Sequence, residues 1–156
     1  MKLILLLLML LMTLGAWESW RHARHRRRIP IRVHVNGSRG KSSVSRLIAA
    51  GLRGGGLRVV AKTTGSAACV SHVDGSETPV RRRGGPNIRE QLAIVRGAVR
   101  EGCGALVIEC MAVRPDLQYT CEHVIVKATH GVITNARPDH LEVMGPTLED
   151  VAANLG

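Results

Sequence analysis

Residues 31–43 have the sequence Ile-Arg-Val-His-Val-Asn-Gly-Ser-Arg-Gly-Lys-Ser-Ser, and this stretch decides the fold of the chain. A short run rich in β-branched residues leads into a glycine-containing turn that ends in Gly40-Lys41-Ser42. The apolar residues after Ser43 recur at helical spacing, so a helix is predicted to follow. A strand, a glycine-rich turn and a helix in this order are typical of loops that hold nucleotide phosphates.

The residue types in this turn suit an anion. Gly37 and Gly40 allow backbone N–H groups to face a phosphate, while Lys41 offers a positive charge and Ser42 a hydroxyl ligand for Mg²⁺. The spacing is the short G-x-x-G-K-S, since Val35 stands where the longer G-x-x-x-x-G-K-[ST] pattern has its first glycine. An ordinary turn before a helix is the alternative. The predicted nucleotide contacts are Asn36, Gly37, Ser38, Arg39, Gly40, Lys41, Ser42, Ser43 and, further along the chain, Asn135.

Two later apolar runs predict buried strands that end in polar residues. Residues 105–108 are followed by Glu109, and residues 131–134 by Asn135 and then Asp139-His140. Strands that alternate with helices predict a parallel, doubly wound sheet, in which ligands lie at the carboxyl ends of the strands. Glu109 could there supply the oxygen that Mg²⁺ requires. A salt-bridged or capping role for Glu109, and a plain surface position for His140, are the alternatives.

The remaining segments complete the predicted α/β pattern. Helices are expected over residues 43–52, from an N-cap at Asn87 to about Val99, and over 148–155. Residues 57–61 predict a strand. The polar stretch 63–85 predicts a long loop with a hairpin at Asp74-Gly75.

The first twenty residues predict a membrane anchor. Residues 3–17 are almost entirely aliphatic, and a helix over 1–20 would span roughly 30 Å, enough to cross a bilayer. Trp17 and Trp20 stand where interfacial aromatic residues belong, and five arginines follow within residues 21–28. We therefore expect an anchor at 1–20, a basic linker at 21–30 and a cytoplasmic remainder. A cleaved signal peptide is the competing interpretation, but its positive charge would precede the apolar run.

The charge and the cysteine spacing narrow the range of possible partners and metal sites. The net charge of +10 comes largely from the arginine runs at 21–28 and 81–83. Because no aromatic residues interleave with these runs, nucleic acid is not a predicted partner. The four cysteines, at positions 69, 103, 110 and 121, lack the close pairs of a zinc site. They predict reduced, mostly buried thiols.

Three motifs in order resemble the Mur-ligase superfamily of ATP-dependent amide ligases. They are the short phosphate loop, a glutamate that ends a later strand, and a T-N-x-x-x-D-H-[LM]-[DE] segment, present here as residues 134–142. Within the superfamily, residues 34–43, 107–112 and 131–137 look most like the ligase subunits that make poly-γ-glutamate for capsules. The resemblance covers roughly residues 31–156.

The resemblance implies a reaction and roles for its residues. ATP would phosphorylate a glutamate carboxylate, and the amine of another glutamate would attack the acyl phosphate to form an amide. Lys41, Glu109 and His140 would be catalytic, with Ser42 on one Mg²⁺ and with Glu109 and His140 on a second. Asn135 and Asp139 would support the site.

The resemblance also implies which partners the protein has and how much of the superfamily's central domain residues 31–156 form. The partners would be glutamate and the growing polyglutamate chain, the membrane, and other membrane subunits of a synthase and export complex. Because the superfamily's central domain continues beyond the matching motifs, residues 31–156 are expected to form its N-terminal part, with little ligase activity alone. Rival predictions are a murein- or folate-type amide ligase, a membrane-tethered P-loop kinase or ATPase, and a nucleotide-binding assembly subunit without turnover.

Overall fold

The structure, a computed structural model, describes residues 1–65, 67–82 and 84–156. Ser66 and Arg83, which belong to the predicted long loop and to the second arginine run, lie outside the described residues. The predicted α/β class and the helix-flanked sheet are confirmed. Within the described residues the strands are β1 Ile31–Asn36, β2 Val59–Thr63, β3 Cys69–Ser71, β4 Glu77–Pro79, β5 Ala105–Glu109 and β6 His130–Ile133.

One sheet contains all of these strands in the order β4-β3-β2-β5-β1-β6. Strands β2, β5, β1 and β6 run parallel, as predicted. One edge of the sheet departs from the parallel arrangement, where β3 pairs antiparallel with β2 and with β4. The reason is the predicted turn at Asp74-Gly75, where Gly75 donates to the carbonyl of His72 at 3.0 Å. A connection this short can join only antiparallel strands.

The helices flank the sheet and partly match the predicted boundaries. They are α1 Lys2–Arg26, α2 Lys41–Gly54, α3 Glu90–Arg100, α4 Pro115–Tyr119, α5 Leu141–Met144 and α6 Leu148–Leu155, with a π-helix at Thr120–Val126 after α4. The predicted helix over 148–155 is confirmed at both ends. Asn87 is not the N-cap of α3, because the side-chain oxygen of Asn87 accepts from the N–H of Arg89 in a turn that precedes the helix.

Apolar side chains are buried on both faces of the sheet. Alternate residues of β5 supply the two faces, so all five of its residues are buried. One face packs on α2 through Val33, Val35, Val59, Ala61, Ala105, Val107 and Ala49. The other packs on α3 and the π-helix through Val60, Leu106, Ile108, Val95, Ala98 and Val126. Burial of the central strands holds their carboxyl ends in fixed positions.

In the part of the chain that the structure describes, one helix, α1, is long and apolar enough to cross a membrane. Its side chains are exposed up to Trp20. The segment predicted as a linker, 21–30, is helical as far as Arg26 because the helix continues onto the domain. There His22 contacts the carbonyl of Ile125 at 2.7 Å, and Arg26 donates to that of Val124 at 2.6 Å. The predicted reduced cysteines are confirmed as free thiols, three of them buried.

A buried histidine connects the central sheet to the π-helix. His34 of β1 contacts the Glu122 carboxylate at 3.0 Å, and its side chain is fully buried. Burial lowers the pKa of His34, but interactions with Cys110 and Glu122 outweigh burial and raise it to about 9. The protonated imidazole therefore stabilises the contact between β1 and the π-helix at neutral pH.

This contact predicts a loss of stability in alkali. A group whose pKa is raised in the folded state stabilises that state fully below its ordinary pKa of 6.5, and the stabilisation disappears as the pH rises through about 9. The free energy of unfolding, measured by urea denaturation in detergent, is thus expected to fall between pH 7 and pH 10. His34→Asn should flatten this decline. An equal decline in the variant would contradict the role of His34.

Candidate nucleotide-binding site

The phosphate loop lies between β1 and α2, as the sequence predicts. Gly37 and Gly40 have positive φ angles, 130° and 79°, and Gly40 is the N-cap of α2. A Cβ atom on Gly37 would lie 2.1 Å from the Thr134 hydroxyl oxygen, so only glycine lets the loop approach the end of β6 this closely. The loop N–H groups and the positive end of the α2 dipole thus share one location, which favours an anion.

Residues after β6 hold the loop in place. The Asn135 carbonyl accepts from the N–H of Ser38 at 3.0 Å. The Asn135 side-chain amide accepts from the N–H of Arg39 at 3.2 Å and donates to its carbonyl at 3.0 Å. Thr134 donates its hydroxyl to the same carbonyl at 2.7 Å. Asn135, predicted as a nucleotide contact and as a support, is therefore placed where it positions the loop backbone.

Asn36 ties the start of the loop to two helices. Its side-chain oxygen accepts from the N–H of Gly37 at 2.9 Å. Its NH₂ group donates to the Gln118 side chain of α4 at 2.6 Å and to the Leu155 carbonyl of α6 at 3.2 Å. Asn36 was predicted to contact the nucleotide, and it lies at the cleft described below. Its side-chain donors and acceptor are engaged within the protein, which favours a positioning role.

The Lys41 side chain folds back over the loop. Its ammonium donates to the Gly37 carbonyl at 2.6 Å and to that of Ser38 at 3.4 Å. The positive charge therefore lies against the loop backbone, from which the flexible side chain can turn toward phosphate oxygens. Ser43, a further predicted contact, is exposed on α2 and makes no hydrogen bond to a described side chain.

Glu109 joins the loop to the neighbouring strand. Its Oε2 atom accepts from the Ser42 hydroxyl at 2.8 Å and from the N–H of Thr64 at 2.7 Å, and the residue is only 3% exposed. Among the described residues, Oε1 accepts no hydrogen bond. A hydroxyl and a carboxylate oxygen in contact are the hard donors that Mg²⁺ prefers, so these two side chains fit the predicted metal.

A cleft of about 300 Å³ opens at this edge of the sheet. It brings together Lys41, Glu109 and His140, the three residues predicted to be catalytic, and its other polar lining residues include Asn36, Ser38, Arg39, Thr64, Arg82, Gln118 and Asp139. The cleft size is at the lower end of the range for small-molecule sites.

His140 is the least constrained member of the predicted set. It precedes α5 with a φ of 50°, and about half of its side chain is exposed. Its ring nitrogens lie 4.0 Å from the nearest Asp139 oxygen and 3.4 Å from Glu142. No cluster of three or more His, Cys, Asp or Glu side chains that could hold a metal occurs among residues 1–65, 67–82 and 84–156. The structure thus places His140 at the same cleft as Glu109, although the described residues form no cluster of three such ligands there.

The polar cleft residues that sequence reasoning missed include Thr64, Arg82 and Gln118. Thr64 could have been found, because it follows β2 at the same edge of the sheet as Glu109. The sequence shows Arg82 only as part of a basic run. Gln118 lies on α4, a short helix that no motif indicated.

The sequence comparisons agree with this geometry. Residues 35–155 match the family described as Mur ligase middle domain. This chain belongs to the Mur ligase family. The match contains the phosphate loop, Glu109, Asn135 and His140.

Two relatives refine the placement within the Mur ligase family. The chain is 45% identical over 126 residues to "PGA synthase CapB" of Bacillus subtilis (strain 168), covering 80% of this chain and 32% of that protein. It is 47% identical over 126 residues to "Capsule biosynthesis protein CapB" of Bacillus anthracis, covering 80% of this chain and 27% of that protein. The chain thus spans about a third of the length of these curated relatives.

The adjacent serines Ser42 and Ser43 provide a matched test of the link between the loop and Glu109. Ser42→Ala removes a hydrogen bond to a carboxylate, so the free energy of unfolding should fall by about 1 to 2 kcal/mol. Ser43→Ala on the exposed face of α2 should change it by less than about 0.5 kcal/mol. Urea denaturation of both variants in detergent measures the difference. Equal effects of the two substitutions would mean that the Ser42–Glu109 contact does not hold the loop.

Proposed function

We propose that this chain is the nucleotide-binding part of an ATP-dependent amide ligase that polymerises glutamate into capsular poly-γ-glutamate. The observation that carries the proposal is the contact between Ser42 of the phosphate loop and Glu109 of β5 at a cleft that also holds Lys41. Membership of the Mur ligase family and the similarity to two CapB proteins support this reaction class.

The cosubstrate is ATP with magnesium. The N–H groups of the loop at Gly37–Gly40 and the ammonium of Lys41 bind the β- and γ-phosphates, and Asn135 and Asn36 keep the loop in the required shape. Ser42 and Glu109 would hold Mg²⁺, and His140 faces the same cleft. When bound, Mg²⁺ would supply positive charge to the phosphate oxygens.

The reaction has two steps. A carboxylate oxygen of one glutamate attacks the γ-phosphorus, and the bond to ADP breaks, which leaves an acyl phosphate. The amine of a second glutamate then attacks the acyl carbon, loses a proton, and expels inorganic phosphate to leave an amide. Lys41 and the loop N–H groups stabilise the negative charge on the transferred phosphoryl group, because they are held in place before the reaction begins.

The membrane arrangement follows from charge. We propose that residues 1–20 of α1 span the bilayer, with the arginines at 21–28 on the cytoplasmic side because basic flanks stay inside. The cleft is then cytoplasmic, where ATP is present. The hydrogen bonds of His22 and Arg26 to the π-helix hold the domain beside the membrane. In this arrangement the partners are glutamate, the growing polymer, the membrane and other membrane subunits of a synthase and export complex.

A chimeric enzyme tests the proposed activity. Its design replaces the matching 126 residues of the Bacillus subtilis relative by those of this chain, and the readout is polyglutamate made from labelled glutamate and Mg·ATP. Polymer should form, and Lys41→Gln should reduce it by about 100-fold or more because phosphate charge is no longer stabilised.

The matched control is Lys127→Gln, which removes one lysine charge from an exposed position outside the cleft and should leave polymer formation unchanged. Polymer formation that survives Lys41→Gln would contradict the proposal. Phosphate release without any dependence on glutamate would instead favour a membrane-tethered ATPase.

A further inference from the structure

A group of three charged residues lies beside the far end of the cleft. The Glu90 carboxylate at the start of α3 receives Lys62 of β2 at 2.6 Å on one oxygen and Arg82 at 2.9 Å on the other. The Lys62 side chain is fully buried, while those of Glu90 and Arg82 are 16% and 24% exposed. Of the three, Arg82 lines the cleft.

The geometry of Arg82 leaves part of its guanidinium free for a ligand. Its Nε and Nη2 atoms donate side by side to the two oxygens of Glu90, at 2.9 and 3.0 Å. A guanidinium carries five N–H donors. The N–H groups that point away from Glu90 make no hydrogen bond to a residue that the structure describes. Two cations also share the single carboxylate of Glu90, so the group retains positive charge beside the cleft.

The order of the strands separates Arg82 from the phosphate loop. The loop follows β1, Glu109 ends β5, and Thr64 follows β2, so these groups are arranged along the sheet edge in the strand order β1-β5-β2. Arg82 lies against the β2 side through the Glu90 carboxylate that it shares with Lys62. Two strand spacings make about 10 Å from β1 to β2. Glu109 therefore lies between the phosphate loop and the position of Arg82.

We propose that Arg82 binds a non-reacting carboxylate of the glutamate substrate, and that Glu90 and Lys62 hold the guanidinium in the orientation that this requires. The identity of the substrate rests on the function proposed above. A γ-linked glutamate chain carries one free α-carboxylate on each residue, and arginine binds carboxylates through paired N–H groups. With the phosphates beyond Glu109, a carboxylate at Arg82 would place the glutamate on the opposite side of Glu109 from the phosphate loop.

The test uses the whole chain in detergent and two ligands of the same shape, one with negatively charged α-carboxylates and one with neutral α-amides. A γ-linked glutamate trimer, and the same trimer with its α-carboxylates converted to amides, are titrated calorimetrically with and without saturating Mg·AMPPNP. The chain should bind the acidic trimer about 10- to 100-fold more tightly than the amide, because a charge-assisted pair is lost with the amide. Arg82→Gln should abolish this preference and leave the affinity for Mg·AMPPNP unchanged.

Two further variants make the result specific. Arg81→Gln removes the same charge at the adjacent exposed position and should keep the preference for the acidic trimer. Arg82→Lys retains a cation opposite Glu90 and should keep only part of the preference for the acidic trimer. This variant still tests the proposal if Arg82→Gln does not fold.

Each contrary outcome identifies a different error. An equal loss in Arg82→Gln and Arg81→Gln, or no preference in the unaltered chain, would overturn the assignment of Arg82. A drop in Mg·AMPPNP affinity in Arg82→Gln comparable to that in Lys41→Gln would make Arg82 a phosphate ligand and would also overturn it. Failure of Mg·AMPPNP to bind the unaltered chain would count against the proposed function alone, since the trimer preference is still measured without nucleotide.

Discussion

The hydrogen bond between Ser42 and Glu109 is the interaction on which the site depends. It connects the first turn of α2 to the end of β5, two elements that lie far apart in sequence and meet only because β1 and β5 are parallel neighbours. Val35 pairs with Glu109 in that register, so the carboxylate stands beside the start of the phosphate loop. A shift of one residue would turn Glu109 to the opposite face of the sheet. The buried apolar residues of both strands prevent such a shift.

The rest of the cleft is arranged around this pair. Asn135 and Thr134, which follow β6, hold the loop by hydrogen bonds to its backbone. Asn36 fixes the start of the loop by hydrogen bonds to α4 and α6. Arg82 reaches the cleft from the β2 side, supported by Glu90 and Lys62. Groups suited to phosphate, metal and carboxylate thus follow one another along a single sheet edge. In the proposed function, this order suits the transfer of a phosphoryl group from a nucleotide to an acid.

Much of this arrangement could be predicted from sequence because it depends on local patterns. The run 31–43 predicts its strand, loop and helix from β-branching, glycine and helical spacing, and Glu109 is predicted by its place at the end of a buried run. The turn of the edge hairpin was predicted at Asp74-Gly75, but its two strands and the π-helix were missed because they depend on tertiary contacts. Two strands of three residues are too short to show a pattern, and the π-helix is held by contacts such as that between His34 and Glu122. The role of Arg82 could not be predicted from sequence, because it depends on contact with Glu90, which lies on another element.

The central claim is that the loop and Glu109 form one site for Mg·nucleotide. Titration of the chain with a fluorescent ATP analogue, with and without Mg²⁺, tests it most directly when the unaltered chain is compared with Glu109→Gln. The glutamine can still accept from Ser42 and Thr64, so it removes charge while it keeps the shape. The account predicts that Mg²⁺ strengthens binding to the unaltered chain and has little effect on the variant. An equal effect of Mg²⁺ on both proteins would contradict it.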